Sequence, residues 1–169
     1  MSRRRVEITI QKDFQPRLSR TRLRKAALSA LDAAIPRQPC QLSLAICDDD
    51  TIRQLNRDYR GVDEVTDVLA FSSHYPGPWQ GDDAPPTDRT SGQDAFVMPP
   101  EEAAFIGEAV VCYPQMCRQA AESSTPPENE LALLVVHGVL HLLGYDHQKR
   151  EQERVMKKMQ SVLWKACTS

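Results

Sequence analysis

The sequence predicts an α+β fold, in which a small mixed β-sheet of about four strands packs around one central helix. Four segments have the alternating or continuous apolar pattern of short strands, and the segments between them have apolar residues at helical spacing. Residues 131–143 form a helical stretch with apolar residues on all faces, which has to be buried. At 169 residues the chain is long enough for one domain with a core, so we predict a single domain over residues 1–169.

The first two predicted strands are each followed by a helix. Alternating apolar side chains predict strands over residues 5–11 and 41–47. A helix is predicted over residues 20–35, because its apolar residues recur at helical spacing, Ser19 is a suitable N-cap and Pro36 lies at its end.

Three consecutive aspartates, residues 48–50, precede a short helix predicted over residues 51–59. Aspartate is a good N-cap, because its carboxylate accepts hydrogen bonds from the free N–H groups of the first helical turn. We favour capping and solvation over a cation site as the role of these residues. A polar loop containing Arg60 then leads into a strand that ends at Phe71.

Residues 73–104 interrupt this pattern and predict a long acidic loop inserted between two strands. The segment holds 6 of the 12 prolines and 3 of the 7 glycines, has a net charge of −5 and shows no sustained period. His74 could approach a metal, and three aromatic residues could cover a cleft or stack on bases (Tyr75, Trp79 and Phe96). We favour the simpler role of these residues, which is to anchor a surface loop.

The last third of the chain predicts one strand and three helices. A strand over residues 105–112 precedes a helix over residues 114–122. The motif T-P-P-E at residues 125–128 has the form of a capping box with proline at the first helical position, and it opens the central helix. Residues 151–164 have the amphipathic pattern of a C-terminal helix.

Three of the four histidines lie in the stretch H-G-V-L-H-L-L-G-Y-D-H at residues 137–147. His137 and His141 are four residues apart, so on a helix they project from one face, about 5 to 6 Å apart at Cβ. His147 would lie about 15 Å from His137 along a continuous helix, so the chain has to turn back. Gly144 is placed for that turn, because glycine adopts the left-handed conformation without steric cost.

Three histidine nitrogens with an open fourth position are typical of a catalytic zinc site. A single histidine in an apolar helix would more often be a hydrogen-bonded core residue, but three with a glycine turn between them favour metal binding. We therefore predict that His137, His141 and His147 bind one Zn²⁺ per chain. Imidazoles also suit other transition metals such as Ni²⁺.

This histidine stretch resembles the motifs of two families. Its spacing is similar to that of metzincin proteases, but Gly138 occupies the position of the glutamate that acts as their general base. It matches more closely the motif H-G-x-L-H-L-x-G-Y-D-H of the bacterial YbeY family, of which every fixed position is present. Residues 55–71 resemble a second YbeY signature, L-N-x-x-[YF]-R-x-x-D-x-x-T-D-V-L-[ST]-F, with Ala70 where a small hydroxyl residue is commoner. The strand at 105–112 is similar to the L-G-D-I strand of the family, with Glu108 in place of the aspartate.

The resemblance implies a metal-dependent endoribonuclease that acts in 16S rRNA 3′-end maturation and ribosome quality control. It also implies that Arg60 lies near the metal cleft and is needed for activity. A guanidinium is always charged and binds phosphate bidentately, which fits that role independently of the family. We predict a zinc-dependent endoribonuclease specific for single-stranded RNA, with Arg60 as a catalytic residue that stabilises the charge of the transition state. Asp146 could orient a metal ligand or brace the turn.

Two other functions stay open at this point. One is a metal-dependent hydrolase of another substrate, such as a peptide. The other is a non-enzymatic ribosome-assembly factor in which the metal is structural. The expected partners are RNA, including 16S rRNA, and the ribosome or its small-subunit proteins, with no DNA and no membrane.

The cysteine pattern and the N-terminal sequence predict a cytoplasmic protein, and the charge distribution bears on RNA binding. The net charge is −2, but residues 1–25 carry +7, which could contact phosphates or merely keep a surface helix soluble. Five irregularly spaced cysteines indicate reduced thiols. The basic N-terminus is not followed by an unbroken apolar segment, and no apolar run reaches about 18 residues, so we expect neither secretion nor a membrane span.

Overall fold

Four short strands pair into one mixed sheet. β1 (Arg4–Ile10), β2 (Cys40–Cys47) and β4 (Ala104–Cys112) are mutually parallel, and β3 (Val68–Ser72) runs antiparallel to β4. The order across the sheet is β1-β2-β4-β3. These elements come from a computed structural model, which describes residues 3–73 and 104–144. The mixed four-stranded sheet with its helices confirms the predicted α+β fold.

Within residues 3–73 and 104–144, four α-helices and one short 3₁₀ helix accompany the sheet. The α-helices are α1 (Arg20–Ala34), α2 (Asp49–Arg60), α3 (Tyr113–Glu122) and α4 (Pro127–Leu142). The 3₁₀ helix spans Lys12–Arg17. The sequence does not predict it, because six residues that include a proline show no helical period.

Local chemistry sets most of the helix ends. The Ser19 side chain accepts a hydrogen bond from the Arg22 N–H, and Asp48 Oδ1 accepts one from the Thr51 N–H, which confirms both predicted N-caps. The predicted capping box at residues 125–128 is wrong. Pro126 is the N-cap of α4 and makes no side-chain cap hydrogen bond, while the Thr125 hydroxyl bonds to Ser123 instead. The reason is that the helix starts one residue too late for Thr125 to reach its N–H groups.

The sheet buries a different set of helices on each face. The larger core lies between one face and the helices α1 and α4, and it contains Ala109 and Val111 from β4. On the other face, Ile52 of α2 packs against Leu69 and Val110. Consecutive residues along β3, and likewise along β4, thus belong to different cores, because side chains alternate between the two faces of a strand.

Several predicted features lie outside the described residues: His147, Asp146, residues 74–103 of the insertion and the C-terminal helix at 151–164. Within residues 3–73 and 104–144, no helix is long and apolar enough to cross a membrane. Cys40, Cys47, Cys112 and Cys117 are free thiols.

Candidate metal centre

The α4 helix brings two of the three predicted metal ligands together. His137 is partly buried and His141 is buried, and the centres of their rings lie 6.2 Å apart. Around them the helix is almost entirely apolar, with Val136, Val139 and Leu140 fully buried. The helix packs against both the sheet and α1, which holds the backbone positions of the two histidines relative to each other.

The two histidines fit one shared metal ion. With Zn–N bonds of about 2.0 to 2.1 Å and tetrahedral geometry, two imidazoles on one zinc ion have ring centres roughly 5 Å apart. The ring centres lie 6.2 Å apart here, so a rotation of the side chains that brings them about 1 Å closer would let both bind one ion. In the described part of the chain no group of three potential ligands occurs. The third predicted ligand, His147, lies beyond that part, so the complete set of three stays a prediction.

The chain turns where the sequence predicts. Helix α4 ends at Leu142, and Gly144 has a φ of 87°, in the left-handed region. The Gly144 N–H donates a hydrogen bond to the carbonyl of His141, which closes the last turn beside this ligand. This reversal is the change of direction that would let His147 return toward the other two histidines.

Gly138 packs against the sheet. A Cβ atom at this position would stand 2.9 Å from Cβ of Ala109 and 3.4 Å from a methyl group of Val68. Position 138 therefore has room for no side chain, because α4 lies directly on β3 and β4 there. A glutamate would be forced into the sheet instead of facing a substrate, so the glutamate base of a metzincin has no place in this fold.

The end of α4 is tied to the sheet by two contacts. The Ser72 hydroxyl donates a hydrogen bond to the carbonyl of Leu142 at 2.9 Å. Gly107 has a φ of 137°, and a Cβ atom there would stand 2.2 Å from the carbonyl oxygen of Phe71 and 2.8 Å from the side chain of Leu142. The sheet thus approaches the helix closely next to His141, and only glycine permits that approach.

Arg60 is the last residue of α2, which corrects the expectation that it lies in a loop. The helix extends to Arg60 because Gly61 terminates it in the left-handed conformation, with a φ of 72°. The Arg60 side chain is partly buried, and its Nη1 donates a hydrogen bond to Oδ1 of Asn56 at 3.3 Å. The guanidinium is thus oriented from its own helix, one turn away.

Asn56 is a positioning residue that the sequence reasoning missed. It is fully buried, and its side-chain amide also donates a hydrogen bond to the carbonyl of Glu64 at 3.0 Å. It therefore links Arg60 to the segment that joins α2 and β3. The available signal was the spacing of four residues between the asparagine and the arginine in the L-N-x-x-Y-R motif, which places both on one face of a helix.

The carboxylates nearest to Arg60 in sequence bond to other arginines. Asp63 forms a bidentate pair with Arg53 at 2.9 and 3.2 Å, and Asp58 lies 3.6 Å from Arg57. The hydrogen bonds and the charge of Arg53 hold the pKa of Asp63 below its usual range. A structural role for Arg60 as the partner of Asp58 or Asp63 is thus not supported by these pairs.

Arg60 and the histidines come from elements on opposite faces of the sheet. α2 packs against Leu69, whereas α4 packs against Val68 and Ala70. β3 is an outer strand of the sheet, and residues 61–67 join the end of α2 to its start. Burial raises the pKa of Glu130 in the first turn of α4, and the negative charge of Asp67, just before β3, raises it further.

Glu108 lies on β4 in register with Phe71 of β3. Its strand neighbours Gly107 and Ala109 face α4, so alternation places Glu108 on the face that α2 covers. Glu108 therefore shares this face with the helix that carries Arg60.

Comparison with known proteins gives a consistent result. The family model described as "Endoribonuclease YbeY" matches residues 7–168. A protein of Dehalococcoides mccartyi (strain CBDB1) called Endoribonuclease YbeY is 36% identical over 160 residues, which cover 95% of this chain and 91% of that protein. A protein of the same name from Chloroflexus aurantiacus (strain ATCC 29366 / DSM 635 / J-10-fl) is 38% identical over 130 residues, covering 76% and 73%.

A solved structure shares the fold. The solution structure of TM1509 from Thermotoga maritima superposes with a TM-score of 0.58 and covers 96% of this chain and 91% of that one. At 24% identity, this likeness supports the architecture alone.

Proposed function

Because the chain belongs to the YbeY endoribonuclease family, we propose that it is a zinc-dependent endoribonuclease that cleaves single-stranded RNA. Its proposed substrate is 16S rRNA, in 3′-end maturation and ribosome quality control, with the ribosome or its small-subunit proteins as partners. The pair of imidazoles on α4, with ring centres 6.2 Å apart, carries this proposal.

The residues divide the work as follows. His137 and His141 would hold the metal from α4, and His147 would complete the set after the turn at Gly144. When bound, a zinc ion lowers the pKa of a water molecule toward about 7 and polarises a phosphoryl oxygen. Arg60 would bind the scissile phosphate through its guanidinium and stabilise the charge that develops on the phosphate oxygens. Asn56 holds this guanidinium from α2.

The position of Gly138 disfavours the alternative of a peptide hydrolase. A peptidase with this histidine spacing would use a glutamate after the first histidine, and that position faces Ala109 in the sheet. The second alternative, an assembly factor with a structural metal, has no observation of its own in its favour. It differs from an endoribonuclease in one measurable respect, which is RNA cleavage.

Metal content and RNA cleavage, measured on the same samples, test the proposal. We expect about one zinc per chain and cleavage of single-stranded RNA for the wild-type protein and for Cys117→Ser, and loss of both zinc and cleavage in His141→Ala. Cys117→Ser is the matched control, because it removes a half-buried thiol, another potential zinc ligand, from α3. Equal zinc content in wild type and His141→Ala would remove the basis of the metal site. Zinc binding without cleavage would favour the assembly factor.

A further inference from the structure

A basic groove lies at the β1 edge of the sheet formed by the described residues. β1 is an edge strand, and α1 lies beside it. The groove between them has a volume of about 540 Å³ and is lined by four arginines, Arg4, Arg5, Arg20 and Arg24, with Glu7 as the acidic residue. We propose that this groove binds the sugar-phosphate backbone of the RNA substrate outside the cleavage site. This inference rests on the proposed endoribonuclease function.

The arginines of the groove have two different tasks. Arg4 is held by Asp32 and by the carbonyl groups of Ile35 and Gln38, so it fixes the end of α1 to the strand. Arg5 and Arg24 are exposed. Arg20 and Arg24 are one helical turn apart on the same stripe of α1. Arg5 alternates with the core residues Val6 and Ile8, so it lines the groove from the other face of the edge strand, while Arg20 and Arg24 line it from α1. Guanidinium groups bind phosphate bidentately.

The edge of β1 is less suited to a protein strand than to a nucleic acid. A strand that joins an edge needs its free carbonyl and N–H groups. In this sheet the Arg20 guanidinium donates a hydrogen bond to the carbonyl of Ile8, which blocks part of that edge. The blocked edge and the excess of positive charge both favour RNA as the occupant.

The groove opens toward the same end of the sheet as the end of α4. Arg5 is in register with Gln41, and Gln41 with Phe105 of β4. Two residues further along β4, Gly107 pairs with Ser72, whose hydroxyl donates a hydrogen bond to the carbonyl of Leu142, the residue after His141. Three strand spacings, about 14 Å, separate β1 from β3. Phe105 is 45% exposed on this path, so a base could stack on it.

The test measures RNA affinity as a function of salt, separately from cleavage. The probe is a single-stranded 2′-O-methyl RNA of about 20 nucleotides, long enough for groove and site together. The variant is Arg5→Gln/Arg24→Gln, which changes two exposed side chains. The matched control is Arg22→Gln, because Arg22 is exposed on the same helix but lines a cavity on its other side, next to Tyr113.

We expect the double variant to bind the RNA about tenfold or more weakly at low salt, and the slope of log K against log salt to fall by about 1.4, which is about 0.7 per lost phosphate contact. Arg22→Gln should keep the wild-type affinity and slope. Wild-type binding by the double variant would overturn the groove proposal, and so would equal losses in the double variant and in Arg22→Gln. Cleavage of unmodified RNA by the wild-type protein is measured in parallel. Its absence would overturn the proposed function but not the groove.

Discussion

Gly138 of α4 and Ala109 of β4 lie so close that a β-carbon on the glycine would stand 2.9 Å from that of the alanine. This contact fixes the distance between the sheet and the helix that carries His137 and His141. The positions of both histidines relative to the sheet therefore depend on the absence of a side chain at residue 138.

Gly138→Ala should lower the free energy of unfolding. Overpacking costs about 1 to 3 kcal/mol, and the better helix propensity of alanine returns at most about 1 kcal/mol. Thermal or urea unfolding measures the change. Ala109→Gly in the same protein removes the opposing methyl group, so the double variant should regain part of the loss. A stability of Gly138→Ala equal to wild type would show that the helix can move away from the sheet.

Arg60→Ala should lose RNA cleavage and keep both zinc and fold. A guanidinium that stabilises transition-state charge contributes about 100-fold or more in rate. Its hydrogen bond to Asn56 and its charge at the helix C-terminus contribute only about 1 kcal/mol to stability. Arg60→Lys should recover part of the activity. The control is Arg57→Ala, in the same last turn of α2 but exposed.

Cleavage rate, zinc content and thermal midpoint on these four proteins separate the two roles of Arg60. Full activity in Arg60→Ala would refute binding of the scissile phosphate. A parallel fall of activity and stability would indicate a structural residue.

Stability should depend on pH through Asp49 and Arg118. Arg118 donates hydrogen bonds to both carboxylate oxygens of Asp49, at 2.6 and 3.0 Å, and this pairing holds the pKa of Asp49 below its ordinary value. The folded pKa is lower than the unfolded one, so the stabilisation is complete above about pH 4 and is lost as the pH falls through the folded pKa.

Asp49→Asn should therefore destabilise the protein by about 1 kcal/mol at pH 7, and the difference should disappear in acid. Urea unfolding at several pH values measures it. Asp50→Asn is the control, since Asp50 is in the same helical turn but exposed, so the effect of the helix dipole is shared. A constant difference between Asp49→Asn and wild type at all pH values would exclude the ion pair as its cause.

Removal of residues 74–103 should leave a folded domain. The ends of this segment leave neighbouring antiparallel strands: Ser72 pairs with Gly107, and the Ser73 N–H donates a hydrogen bond to the carbonyl of Ile106 at 3.0 Å. A short glycine-containing linker can join such ends as a hairpin. Circular dichroism and the thermal midpoint test the fold, and limited proteolysis of the full chain should cut first within 74–103. Loss of cooperative unfolding would mean that the segment is part of the core.

Local signals in the sequence were sufficient for much of this fold. The caps at Ser19 and Asp48, the strand alternation and the turn at Gly144 all depend on residues close in sequence, and the structure confirms them. The start of α4 was predicted incorrectly, because Thr125 has the right chemistry for an N-cap but lies one position before the actual N-cap, Pro126.

Long-range features could not be predicted in this way. The central position of β4 between β2 and β3 is set by pairing across the whole chain. The need for glycine at 107 and 138 arises from contacts with Phe71 and Ala109, which no local pattern reveals. For the candidate site, the helical spacing predicted that His137 and His141 share one face. The buried Asn56 that orients Arg60 was found only when its hydrogen bonds were known.

The strand order also has a consequence for the speed of folding. β2 and β4 pair in parallel at the centre of the sheet, although β2 ends at Cys47 and β4 begins at Ala104. In the unfolded chain, closing that loop costs entropy that grows as about 1.5 RT times the logarithm of its length. Shortening it from 56 to 26 residues, by removing 74–103, reduces this cost by about 0.7 kcal/mol. If β2 and β4 pair in the rate-limiting step, the shortened chain should refold about threefold faster, and its unfolding rate should stay the same.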